Sequence, residues 1–94
     1  MNPSICIPRI NNTTKYEFIQ KTLCELNIGN VKSIKIVGSG NKRAVFIHFN
    51  YWYNNTRAKN IYNLLLDEKP VNIVYEFPWF WKCVKVNNRF ISEN

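Results

Sequence analysis

A chain of 94 residues has room for one domain and one hydrophobic core, which excludes a two-domain enzyme. Hydrophobic content of 46% with 15% aromatic residues excludes a disordered chain. Lys and Arg number 13 against 6 Asp and Glu, and the resulting net charge of +7 favours a polyanionic partner, nucleic acid first. The charge also has a compositional reading: Asn and Ile abound beside Lys, as an AT-rich genome imposes through its codons, and Lys then only keeps the protein soluble. Cys6, Cys24 and Cys83 are too far apart in sequence for a zinc clip or a redox motif and are read as reduced thiols, with Cys24 filling the core from a helix. Met1 to Ile10 lacks the basic start and long apolar run of a signal peptide, and no apolar stretch approaches membrane-spanning length. The expected setting is therefore soluble and intracellular, without a membrane partner.

Ser4-Ile5-Cys6-Ile7-Pro8-Arg9-Ile10 alternates with Ile5 and Ile7 inward and predicts a first strand that stops at Pro8. Thr14 and Glu17 have the spacing of a capping box, and Tyr16, Ile19, Leu23 and Leu26 recur at helical spacing. Together they predict a helix from about Lys15 to Leu26 that faces the sheet, with its end marked by Gly29. Val31 to Val37 alternates again, with Ile34 and Ile36 inward and Ser33 and Lys35 outward. Gly38-Ser39-Gly40-Asn41 lies between two strands without the spacing of a phosphate loop, so it is a connector.

Lys42-Arg43-Ala44-Val45-Phe46-Ile47-His48-Phe49 is a strand with two distinct faces. Val45, Ile47 and Phe49 form the face to be buried; Ala44, Phe46 and His48 form the other, with Lys42 and Arg43 at its entrance. Asn54 or Asn55 caps a second helix that runs to about Leu66, with Ala58, Ile61 and Leu65 at core spacing. Lys69-Pro70 ends that helix, and Val71 to Tyr75 is a fourth strand with Val71, Ile73 and Tyr75 inward. The order βαββαβ predicts an α+β, ferredoxin-like fold: a four-stranded antiparallel sheet in order 4-1-3-2, two helices on one face and the other face open. Its expected core comprises Ile5, Ile7, Ile19, Leu23, Ile34, Ile36, Val45, Ile47, Ala58, Ile61, Leu65 and Ile73.

The central strand resembles the RNP1 strand of the RNA recognition motif, whose pattern is basic, Gly, aromatic, small, aromatic, aliphatic, any, aromatic. Lys42, Phe46, Ile47 and Phe49 match it, and Arg43, Ala44 and Val45 depart from it. Ile5, Ile7 and Ile10 match the family's RNP2 strand, in which Cys6 stands where an aromatic is usual. The resemblance covers roughly residues 4 to 76 of a single domain spanning 1–94, with 77–94 as a C-terminal extension. Within the family, the Asn-, Ile- and Lys-rich composition and the Pro-Trp-Phe-Trp-Lys stretch resemble small divergent members of giant DNA viruses of the mimivirus type. That narrower likeness implies host cytoplasm, a virus factory or the virion as location.

The resemblance implies binding of single-stranded RNA, with base-stacking positions at Cys6, Ala44 and Phe46, of which only Phe46 is aromatic. Arg9, Lys35, Lys42 and Arg43 cluster toward the sheet, while Glu17, Glu25, Asp67 and Glu68 fall on helices or their ends, the segregation expected of a polyanion site. His48, the one histidine, has no carboxylate or thiol at ligand spacing, so it reads as a polar or stacking contact rather than as a metal ligand or catalytic base. No nucleophile has an activating neighbour, so neither an enzyme nor a cofactor nor a small-molecule substrate is expected. Phe77-Pro78-Trp79-Phe80-Trp81 must cover something, because so many aromatics are not left free in water. The stretch from Phe77 to Val86 is expected to run along an edge of the sheet or across its open face, completing the core or adding a fifth strand, or serving as a stacking surface or partner interface. Two functions stay open: a module for single-stranded RNA, and a protein-interaction or structural module, homodimeric in one form, that has lost its stacking residues.

Overall fold

A computed structural model of the chain describes residues 2–86. Its elements, in order, are β1 (Ile5–Ile10), α1 (Tyr16–Leu26), β2 (Gly29–Val37), β3 (Arg43–Trp52), α2 (Thr56–Leu66), β4 (Val71–Glu76) and β5 (Trp79–Lys85). Residues 87–94 of the expected extension lie outside the described residues. The strands form one five-stranded antiparallel sheet in the order β2-β3-β1-β5-β4, roughly ferredoxin-like with an extra strand. Among the described residues no helix is long and apolar enough to cross a membrane.

The expected order 4-1-3-2 is corrected by β5, which lies between β1 and β4 rather than along an edge or across the open face. Both β3 and β5 are antiparallel to β1, hence parallel to each other, which is the relation a helical crossover through α2 requires. It is therefore β5 that takes the place beside β1 where the fourth strand of the ferredoxin-like fold belongs, and β4 is the added strand. Side-chain alternation does not rank the two strands: Val71 and Ile73 of β4 are buried opposite Cys83 and Trp81 of β5, and Asn72 and Val74 are exposed opposite Lys82 and Phe80.

The inner face gathers Ile5, Ile7, Val45, Ile47, Phe49, Ile73 and Trp81 under Ile19 and Leu23 of α1 and Ala58 and Leu65 of α2. Ile34, Ile36 and Ile61, expected in the core, are half-buried and packed against it. Tyr16 and Cys24, also expected inward, are exposed. Residue 24 sits about 100° around the helix from Leu23, off the apolar stripe.

The capping box does not form: Asn11 Oδ1 accepts from the amide and the hydroxyl of Thr13, Thr14 N–H goes to the Asn11 carbonyl, and Lys15 stands at the N-cap of α1 without a side-chain cap bond. Nor does Gly29 end the helix. Asn27 does, in the left-handed region at φ 57°, with its N–H on the Leu23 carbonyl. Gly29 instead opens β2, where a Cβ would lie 2.8 Å from both the Phe49 ring and the Tyr51 carbonyl oxygen. Asn55, one of the two expected caps, accepts from Ala58 N–H at 2.8 Å and donates through Nδ2 to the Asn27 carbonyl at 2.9 Å.

Pro8 does not end β1, which continues past a bulge to pair Ile10 with Arg43 on β3. It ends the other side of the strand. Val86 N–H bonds the Ser4 carbonyl at 2.9 Å, and hydrogen-bonded pairs alternate in an antiparallel ladder, so Cys6 with Val84 and then Pro8 with Lys82 would follow. Pro8 has no N–H to give, and the seam between β1 and β5 holds Ile5↔Lys85 and Cys6↔Val84 with no pair beyond. On the helix side the gap is closed by aromatics, with Tyr75 stacked on Trp81 at 4.6 Å and Phe18 edge-on to both.

Candidate nucleic-acid interface

Cross-strand partners share a face, so the pairing sets out the side of the sheet turned away from the helices. One row runs Lys35, Phe46, Cys6, Val84 across β2, β3, β1 and β5. Beside it Ser33 faces His48 and Val37 faces Ala44, and on the added hairpin Asn72 faces Lys82 and Val74 faces Phe80. Phe46, Ala44 and His48 are half-buried, and Lys35 and Lys82 are exposed. Cys6 is only 4% exposed, with its thiol pKa raised by burial, so the position offers a floor to the row rather than a platform. His48 Nδ1 lies 2.7 Å from Ser4 Oγ, which fixes the ring against the start of the chain.

The cations nearest this face divide into two kinds, while Lys21 lies on α1 and Arg57 and Lys59 on α2. Arg9, Lys35, Lys42 and Lys82 are exposed on this face or at its border. Arg43 is half-buried, and its Nη1 donates to the carbonyls of Asn11 (3.2 Å) and Asn12 (3.1 Å), so it holds the loop before α1 in place. Among the described carboxylates, Glu17 and Glu25 belong to α1, Asp67 and Glu68 follow α2, and Glu76 lines a hollow together with Lys15 and Glu17 at the start of α1. The open face is left with positive charge.

The aromatic stretch splits. Trp81 is 5% exposed and belongs to the core, whereas Phe77 at 88%, Trp79 at 63% and Phe80 at 49% lie outside it. Phe80 shares the open face with Lys82, while Phe77 and Trp79 flank the hairpin turn at the far end of the sheet. Lys82 was not legible as a site residue until β5 had a place. Its parity with Phe80 and Val84, opposite to buried Trp81 and Cys83, was the available signal. Among the described residues no three His, Cys, Asp or Glu side chains gather where they could hold a metal ion. Compared with known protein families, with curated proteins and with solved structures, the chain matches none.

Proposed function

We propose that the chain is a small binding module for single-stranded nucleic acid, RNA first, that works through the open face of its sheet. The observation that carries this reading is that Arg9, Lys35, Lys42 and Lys82 lie about Phe46 and Phe80 on a face to which none of the described carboxylates is turned: Glu17 and Glu25 lie on α1, Asp67 and Glu68 follow α2, and Glu76 lines the hollow at the start of α1. Phosphates bind such a row of cations through release of counterions, and bases stack on the rings. RNA recognition motifs use this same side of the same kind of sheet; here the resemblance is carried by the fold and by Phe46, with Phe80 on the added hairpin as a ring of this chain's own.

Binding of labelled single-stranded RNA, single-stranded DNA and duplexes across a salt series tests the reading. If the four cations each meet one phosphate, the logarithm of the affinity should fall against the logarithm of salt with a slope of about −3, and Lys35→Ala should reduce it by roughly 0.7. Phe46→Ala should weaken binding by roughly 1–3 kcal/mol with the slope unchanged. Failure to bind single strands at low salt, or an affinity indifferent to salt, would sink the proposal. A second reading, a protein interface, draws on the exposure of Phe77 and Trp79 at the hairpin tip. It predicts self-association or partner binding that salt scarcely changes.

A further inference from the structure

The missing amide of Pro8 opens the sheet in its interior, not at a margin. Beyond Cys6↔Val84 the strands β1 and β5 part, and between them lies a cleft of about 510 Å³ lined by Arg9, Asn11, Asn12, Asn41, Tyr75 and Phe80, with Ile10 and Trp81 behind. That volume falls within the range of roughly 300–1,000 Å³ typical of small-ligand sites. Ile10 and Trp81 are buried and form an apolar floor. The rim is fixed before any ligand arrives, because Arg43 holds the carbonyls of Asn11 and Asn12, and Asn11 Oδ1 is engaged by Thr13. Among the described residues no carboxylate lines the cleft.

Resting on the interface reading above, we propose that this cleft is a nucleotide subsite, entered by one base of the bound strand. An aromatic wall, a rim of amides and one adjacent guanidinium are what a nucleotide presents partners for: a flat π-face, an edge of mixed donors and acceptors, and a phosphate. The base stacks on Phe80. Its edge meets the side-chain amides of Asn12 and Asn41, which offer both donors and acceptors and so tolerate more than one base. Arg9 takes the neighbouring phosphate, with the forked geometry that suits a phosphate better than a lysine would. The site lies on the opposite side of β1 from Phe46, so a strand crossing the sheet meets one ring on β3 and another on β5.

Oligouridylate and oligoadenylate binding to the whole chain, read by fluorescence anisotropy, tests the subsite together with photocrosslinking of an iodouridine-bearing strand. Phe80→Ala, which removes a side chain about half exposed, should lower affinity roughly 5- to 150-fold. Arg9→Gln should reduce the salt dependence by one phosphate contact, and the crosslink should map to Phe80. Pro8→Val returns the absent amide to β1. It should slow hydrogen exchange along the β1–β5 seam and weaken binding as the cleft closes; should that variant fail to fold, Phe80→Ala decides alone. If the native chain binds while Phe80→Ala and Arg9→Gln bind equally well, the subsite is overturned and the interface narrows to Phe46, Lys35, Lys42 and Lys82, where Phe46→Ala and Lys35→Ala still test it. If the native chain binds no single strand at all, both fall.

Discussion

Cys83 lies on the inner side of β5, where burial first and neighbouring Cys6 second push its pKa from the ordinary 9.0 up to about 12. In the unfolded chain the same thiol ionises near its ordinary value, so between about pH 9 and about pH 12 the unfolded state loses a proton that the native state keeps. Stability is therefore full below pH 9 and falls as pH rises through that window. Urea midpoints measured at rising alkaline pH should decline more steeply for the native chain than for Cys83→Ala, with Cys6, whose pKa is raised by burial, adding in the same direction. A matching decline in both would show that Cys83 contributes nothing to it. Cys24 is the exposed thiol and should be the one that alkylating reagents reach first in the folded protein. Its exposure was readable from the helix stripe of Ile19, Leu23 and Leu26; the general tendency of cysteine to be buried pointed the other way.

At the scale of the element, the two helix starts show which local signals are decisive. Thr14 and Glu17 have the right spacing but no bond, since Asn11 has already arranged the turn before them, while Asn55 both caps α2 and reaches the Asn27 carbonyl at the end of α1. Asn55→Ala should cost about 1 kcal/mol, toward 2 if the link to α1 counts separately, and Thr14→Ala should change the thermal midpoint little. Equal losses would mean that the capping geometry of α2 is not what stabilises it. Strand identity was legible wherever alternation was strong, as in β3, whose Val45 and Ile47 are fully buried. In Phe77 to Val86 alternation was visible, but its first residues are apolar on both faces because they form an exposed turn, so the strand's burial could not be read from pattern.

Across the whole molecule, the order of strands was the least legible property, because it depends on which of two neighbouring segments finds a place beside β1, and sequence pattern ranks them poorly. The consequence is testable. A chain ending at Glu76 lacks Trp81, Cys83 and the strand that flanks β1, so it should lose the dispersed amide spectrum of a folded protein, whereas removal of a peripheral arm would leave that spectrum intact. The placement of Glu17, Glu25, Asp67 and Glu68 on the helices or their ends was legible earlier, as was the outward parity of Lys35, although Lys21, Arg57 and Lys59 fall on the helices too. The position of β5 also sets the timing of assembly. The hairpin of β2 and β3 joins near neighbours, but β1 meets β5 across almost the full described chain, a pairing whose loop is long and whose entropy cost falls late. On a ribosome, β1 can therefore find β3 while one flank of the forming sheet still stands bare, and that flank stays open to aggregation until residues 79–85 have emerged to cover it.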